Sequence, residues 1–127
     1  MLKDKSSTAI VPTKDIKRAR KFYEDTLGLE LAGSEMGDDV LEFRTGDTSL
    51  TVYKSDYAGT NQANAVAWGV GDEIETITSD LKKKGVKFEH YDMEGASYKD
   101  GIHTMGDFRA VWFKDPDGNI LHLNSAA

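Results

Sequence analysis

The chain has 127 residues, of which 16 are basic and 22 acidic, so its formal net charge at neutral pH is −6. This length suits a single compact domain, and the negative charge disfavours nucleic acid and membrane surfaces as partners. The absence of cysteine excludes disulfides, thiolate metal sites and a cysteine nucleophile. No apolar run is long enough to span a membrane and the first residues do not resemble a signal peptide, so we expect a cytoplasmic protein.

The first half of the chain predicts one strand, one helix and three further strands. The first strand covers residues 7–12, and a helix follows from about residue 14 to residue 27, with Thr13 or Asp15 as its N-cap. Gly28 comes next, where a residue with positive φ can end the helix. The three remaining strands are separated by Gly-Asp turn signals and cover residues 29–35, 40–44 and 49–54.

The second half repeats this order of elements. A strand over residues 64–70 precedes a helix that we expect to begin with a capping pair, Asp72 and Glu75, and to end at Gly85. We interpret residues 92–107 as a long loop that could close over a bound molecule. The predicted strands on either side of it cover residues 86–91, 108–114 and 119–124. We therefore predict a single domain, residues 1–127, made of two modules at about residues 5–54 and 64–126 with a polar linker over residues 55–63.

Two segments of the chain resemble a known superfamily. The first is Phe22 to Leu29 (FYEDTLGL), and the second is the closing strand–turn–strand run from Phe113 to Leu123 (FKDPDGNILHL). Together with the paired modules, they are similar to the vicinal oxygen chelate superfamily, which includes glyoxalase I, bleomycin-resistance proteins and extradiol dioxygenases. The resemblance implies an α+β fold in which two tandem βαβββ modules form curved sheets around an open cavity. It also implies a homodimer.

The resemblance further indicates where metalloenzymes of the superfamily hold a divalent ion. These positions lie on the first and last strands of each module, and here they are occupied by Thr8, Thr51, Ala65 and His122. Alanine has no donor atom and a neutral hydroxyl is a weak ligand, so one imidazole would have to hold the ion alone. We therefore predict no cofactor and no divalent metal. The chain resembles the metal-free members, which bind and sequester small molecules.

Strand alternation predicts a ligand cavity independently of the resemblance. If the four positions just named share one face, the opposite face is almost wholly apolar, while the shared face carries small and polar side chains. Small side chains leave volume and a few polar groups orient a ligand, so we expect a small molecule here. Aromatic side chains in the surrounding strands suit a planar or aromatic one. The alternative is a face that is merely hydrated. The predicted ligand-binding residues are Thr8, Ile10, Thr51, Tyr53, Ala65, Ala67, His103, Met105 and His122.

The imidazole of His122 carries the catalytic alternative. An unperturbed histidine titrates near pH ~6.5 and can transfer protons at neutral pH, whereas a lone histidine on a strand is more often a lining residue bonded to a neighbour such as Thr51 or Tyr53. The spacing of His90, His103 and His122 does not favour a displaced metal site. We predict a small-molecule-binding protein with a sequestration or resistance-like role. The alternatives are an enzyme, either a lyase or isomerase like glyoxalase or a dioxygenase-like protein, that uses His122 as acid, base or part of a rebuilt metal site, and a pure interaction module.

Overall fold

The computed structural model describes residues 1–35 and 37–126 and forms two compact units, Met1–Gly59 and a second unit that begins at Thr60. Each unit contains one mixed sheet and little helix, which confirms the predicted α+β class. Among the described residues no helix is long and apolar enough to cross a membrane. The organisation as one domain and the cytoplasmic location stay predictions.

The first unit is a four-stranded sheet covered by one helix. α1 (Ile16–Lys21) continues as a π-helical segment over Phe22–Thr26. The sheet has the order β1-β4-β3-β2, in which β1 and β4 are parallel and the other neighbours antiparallel. Its strands are β1 (Ala9–Thr13), β2 (Glu30–Glu35), β3 (Val40–Thr45) and β4 (Thr48–Lys54). The predicted elements of this half agree with these bounds to within two residues.

Local interactions define the ends of α1. The Asp15 carboxylate accepts a hydrogen bond from the Arg18 amide at 3.1 Å, which satisfies one of the amides that a helix start leaves unpaired. Gly28 follows the π-helical segment with φ 73°, a conformation that glycine adopts at little cost. Both expectations are confirmed. The apolar side of the helix packs on the sheet through side chains that are at most 1% exposed: Val11, Ala19, Tyr23, Phe43, Leu50 and Val52.

The second unit places α2 (Ile74–Lys83) on a five-stranded sheet of order β5-β9-β8-β7-β6. The pair β5 and β9 is parallel, as β1 and β4 are, so the two halves repeat one topology with β6 added at an edge. The strands are β5 (Asn64–Gly69), β6 (Ser97–Lys99), β7 (Ile102–Met105), β8 (Phe108–Lys114) and β9 (Ile120–Asn124). The core of this unit lies on the sheet face that carries α2 and includes Ile74, Leu81, Val111, Phe113, Leu121 and Leu123.

The start of α2 differs from the predicted capping pair. Gly71–Glu73 form a 3₁₀ turn, and Glu73 occupies the N-cap position without a side-chain hydrogen bond to the helix. The turn moves the helix start beyond Asp72, so the predicted pair of Asp72 and Glu75 is wrong. The Glu75 carboxylate instead contacts Arg109 Nη1 at 2.6 Å. The predicted end is confirmed, because Gly85 has φ 92° just after the helix.

The segment predicted as a lid contains a β-hairpin. β6 and β7 are antiparallel, with Lys99 paired to Ile102, so only Asp100 and Gly101 connect them. Their φ values are 55° and 91°, and positive φ at both central residues is what a type I′ turn requires. Asp-Gly is one of the preferred sequences for that turn. The interpretation of residues 92–107 as a long loop is therefore wrong, and the Asp-Gly signal could have corrected it.

The hairpin also takes the place of a predicted strand. Residues 86–91 form only one isolated bridge, between Phe88 and Phe113, and the Glu89 amide donates to the Trp112 carbonyl at 2.8 Å. The other end of the same β8 edge pairs with β7 at residues 108–110. The predicted strand over 86–91 is wrong because the hairpin already occupies half of the edge that it would need.

Candidate functional site

The candidate site lies on the face of the second sheet opposite the core. His122 pairs directly with Ala67 on β5 and with Trp112 on β8, so these three side chains form a row across the sheet. Ala67 is exposed and Trp112 is half-buried. The alternate residues Leu121 and Phe113 are fully buried on the other face. The face opposite the core is therefore only partly accessible, because Ile120 and His122 on it are each 9% exposed.

Six rings form a continuous group in this unit, which we call the ring cluster: His90, Tyr91, Tyr98, His103, Trp112 and His122. Trp112 stacks on His122 with ring centroids 4.6 Å apart, and it meets His103 edge-on at 5.0 Å. Tyr98 meets His103 edge-on at 4.8 Å and stacks on His90 at 3.8 Å. Tyr91 meets Trp112 edge-on at 5.4 Å. Because Tyr91 and Tyr98 are 36% and 37% exposed, the ring cluster presents aromatic surface to solvent.

Both ring nitrogens of His122 are held by neighbours in the same unit. The Val111 carbonyl lies 3.1 Å from Nδ1 and can only accept, so Nδ1 carries the proton and donates. The Asn124 side-chain amide donates to the unprotonated Nε2 at 3.1 Å. Burial, which disfavours the charged ring, lowers the pKa of His122 below 6.5, and the hydrogen bond to Val111 opposes this effect. His122 is therefore neutral at pH 7. Its hydrogen-bond partners are Val111 and Asn124 rather than Thr51 or Tyr53.

His103 lies at the centre of the ring cluster, on β7 rather than in a lid. It is 1% exposed, and the Tyr91 backbone amide donates to its Nε2 at 3.0 Å, so the ring proton is on Nδ1. Within residues 1–35 and 37–126, this Nδ1 has no hydrogen-bond partner. A buried donor without an acceptor costs about 1–3 kcal/mol. Met105, two residues further along β7, is half-buried.

The three imidazoles of the second unit are engaged in other interactions. In His122 and His103 the unprotonated nitrogen already accepts a hydrogen bond, and a protonated nitrogen cannot ligate a metal. The third imidazole, His90, stacks on Tyr98, and its Nε2 lies 3.6 Å from the exposed Asp92 carboxylate. No group of three His, Asp or Glu side chains converges in the part of the chain that the structure describes.

The predicted residues of the first unit lie on the accessible face of its own sheet. Ile10 pairs with Thr51, and Thr51 pairs with Glu42 on β3. Ile10 is 59% exposed and Tyr53 is 36% exposed. Thr8 precedes β1 and lines a pocket of about 310 Å³, while Thr51 lines one of about 290 Å³; Glu42 borders both. The alternation expected for this sheet is observed.

The pairing of Ala65 differs from that of its neighbours on β5. The register of β5 against β9 shifts between Asn64 and Val66, so Ala65 lies at an irregularity and Ala67 is the residue opposite His122. The shared face of Ala65 and His122 stays a prediction. The sequence interpretation also missed Tyr91 and Tyr98 as ring neighbours. Recognition of the hairpin would have placed Tyr98 opposite His103, whereas the position of Tyr91 follows from irregular chain and had no local signal.

Comparison with known proteins agrees with this fold. The family model described as Glyoxalase/Bleomycin resistance protein/Dioxygenase superfamily matches residues 6–123. The uncharacterized protein YraH of Bacillus subtilis (strain 168) is 24% identical over 121 residues, which cover 86% of this chain and 88% of YraH.

Solved structures show the same likeness. Lactoylglutathione lyase from Agrobacterium tumefaciens aligns with a TM-score of 0.69 and 17% identity, covering 98% of this chain and 95% of that chain. A point variant of the fosfomycin resistance protein FosX from Listeria monocytogenes, complexed with Mn(II) and 1S,2S-dihydroxypropylphosphonic acid, has a TM-score of 0.74 and 18% identity, covering 100% of this chain and 93% of that chain. These identities show the fold alone. Because the family model matches nearly the whole chain, the protein belongs to the Glyoxalase/Bleomycin resistance protein/Dioxygenase superfamily.

Proposed function

We propose that this protein binds and sequesters a small planar organic molecule at the ring cluster, without a divalent metal. The observation that carries the proposal is the ring cluster itself, with the His103 Nδ1–H, which has no hydrogen-bond partner among the described residues, at its centre. Homodimer formation, which the family resemblance implies, and a cytoplasmic location, expected from the sequence, belong to the same proposal.

The ring cluster suits a flat guest for two physical reasons. Aromatic pairs contribute about 0.5–1.5 kcal/mol beyond the burial of area, and Tyr91, Tyr98 and Trp112 each retain accessible ring surface. Ala67 beside His122 is small and exposed, so it leaves volume above the row. A guest that separates the tyrosine rings and brings a carbonyl or ring nitrogen to His103 Nδ1 would satisfy the buried donor.

The geometry of His122 supports binding over proton transfer. Its Nε2, the nitrogen that would act as a base, is engaged by the Asn124 amide, and its ring face supports Trp112. A lyase or isomerase using His122 would require Asn124 to release this nitrogen. The enzyme alternative therefore rests on fold likeness, and one fold hosts many functions.

Native mass spectrometry of protein taken directly from cells, combined with elemental analysis, tests this proposal. We expect the mass of one organic molecule per binding site and no stoichiometric Ni, Zn, Fe or Mn after dialysis. Ala67→Phe fills the accessible row and should abolish the added mass, whereas Ala63→Phe, at an exposed position before β5, should retain it. A stoichiometric metal that survives dialysis, or equal retention by both variants, would contradict the proposal.

A further inference from the structure

A further cavity lies on the helix side of the second unit, between α2 and strands β6 to β8. It has a volume of about 530 Å³. From α2 it is lined by Glu75, Thr78 and Lys82, whose spacing places them on one face of the helix. Arg109 of β8 lines the wall formed by the sheet. None of these residues belongs to the ring cluster, so this groove is a separate feature of the fold.

Cationic side chains reach this groove from three different elements. They are Lys82 of α2, Lys99 of β6 and Arg109 of β8, against the acidic residues Glu75 and Asp100. The groove therefore carries a net positive charge in a chain whose net charge is −6. A local excess of positive charge on an acidic protein favours anionic ligands at that place.

Two of these cations are held in position and keep free donors. Arg109 Nη1 contacts the Glu75 carboxylate at 2.6 Å, and the Arg109 backbone amide donates to Ser125 Oγ at 2.9 Å. Lys82 Nζ donates to the Asp100 carbonyl at the hairpin turn. An ammonium has three N–H donors and a guanidinium five, so each side chain retains donors for a ligand.

The hydroxyl of Thr78 is an independent sign of a ligand in the same groove. Thr78 is 2% exposed, and its Oγ1 has no hydrogen-bond partner among the described residues. Buried polar atoms are nearly always paired, and an unpaired one calls for an explanation. Because Thr78 lines the groove, its hydroxyl would need only a small side-chain rotation to meet a ligand atom there.

We propose that this groove binds a phosphoryl group on a small molecule, with Lys82 and Arg109 as charge partners and the Thr78 hydroxyl as a further donor. A tetrahedral oxyanion accepts hydrogen bonds from several directions, which matches donors that arrive from a helix and from the sheet. A planar carboxylate presents fewer acceptor directions to this arrangement. The groove is also larger than bare phosphate requires, which favours phosphate attached to an organic group.

Titration of the whole protein with inorganic phosphate, followed by amide NMR at constant ionic strength, tests this site. We expect saturable shifts at Thr78, Lys82 and Arg109, and no comparable shifts with acetate. Lys82→Gln should weaken phosphate binding by about tenfold, the effect of losing one charge-assisted hydrogen bond. Lys83→Gln makes the same charge change on the same helix outside the groove, and it should leave the affinity within about twofold. Equal effects of the two variants, equal shifts with acetate or the absence of saturable shifts would overturn the proposal.

Thr78→Val separates a ligand contact from a structural role. Removal of an unpaired buried hydroxyl should raise the urea midpoint of the phosphate-free protein, since no hydrogen bond is lost. The same change should weaken phosphate binding several-fold. An unchanged phosphate affinity, or a lower urea midpoint, would overturn the part assigned to this hydroxyl.

Discussion

Asn124→Asp should reverse the pH dependence that His122 gives to stability. In the native protein the Asn124 amide donates to His122 Nε2 at 3.1 Å, and burial holds the His122 pKa below 6.5. An aspartate has nearly the same shape, and its carboxylate can still accept the hydrogen bond that Asn124 Oδ1 receives from the Ala126 amide at 3.0 Å. It cannot donate to Nε2, so the protonated imidazole becomes the favoured partner.

The expected rise in the His122 pKa follows from the short distance between the side chain of residue 124 and His122 Nε2. Two unit charges about 4 Å apart interact by about 4 kcal/mol at an effective dielectric constant of about 20, and one pKa unit corresponds to about 1.4 kcal/mol. Burial of both groups opposes the gain. We therefore expect the His122 pKa to rise by about 1–3 units, the usual effect of an opposite charge at hydrogen-bond distance.

The pH dependence of stability distinguishes the native protein from Asn124→Asp, because the His122 pKa shifts in opposite directions in the two. In the native protein the lowered His122 pKa means that stability falls as pH decreases from about 6.5 towards the folded-state pKa. In Asn124→Asp the raised pKa means that the contribution is fully present below about pH 6.5 and is lost as pH rises through the new folded-state pKa. NMR titration of the His122 Cε1 proton and urea unfolding at several pH values measure both effects. Asn61→Asp, at an exposed position in the same unit, controls for the added charge. An unchanged or lower His122 pKa would refute the assignment of Asn124 as the partner of Nε2.

Two further predictions concern the turns that position the site. Gly101→Ala should destabilise the protein by about 1–2 kcal/mol in urea unfolding, because φ is 91° and the new Cβ would lie 3.2 Å from Phe88 Cβ. Gly95→Ala, where φ is 81° and the new Cβ would meet open space, should cost less. Equal losses in the two variants would contradict the role of the Phe88 contact. Asp115→Ala should lower the free energy of unfolding by about 3 kcal/mol in the same assay. The buried Asp115 carboxylate accepts hydrogen bonds from the Asp117 and Asn119 amides at 2.9 Å and from Asn119 Nδ2 at 2.8 Å. A loss under about 1 kcal/mol would contradict this account of the turn before β9.

The sequence predicted most of the fold because its strongest signals are local. Asp15 at a helix start, Gly28 at its end and the run from Phe113 to Leu123 each act through neighbouring backbone, and the structure places them as expected. The Asp72 and Glu75 pair failed because a 3₁₀ turn satisfied the chain before the helix began. Whether α2 begins after Asp72 or after Glu73 depends on packing against the rest of the unit, and a local sequence motif carries no information about that packing.

The candidate site was harder to predict because it depends on pairing between distant segments. Strand parity put His122 and Ala67 on one face of the sheet, yet the partner Asn124 and the neighbour Trp112 follow from the register of β8 and β9. His103 was assigned to a loop, and only the hairpin brings it to the centre of the ring cluster. Of the four metal-ligand positions that the resemblance indicated, only His122 belongs to the ring cluster.

The most direct test of metal-free binding uses Trp112 as an internal probe. The chain has two tryptophans, so Trp68→Phe leaves Trp112 as the sole tryptophan at the ring cluster. Titration of this variant with planar aromatic compounds in excess EDTA should give saturable changes in tryptophan fluorescence for at least one compound, and the added change Ala67→Phe should abolish them. Binding that appears only when a divalent ion is supplied, or that survives Ala67→Phe, would contradict the account.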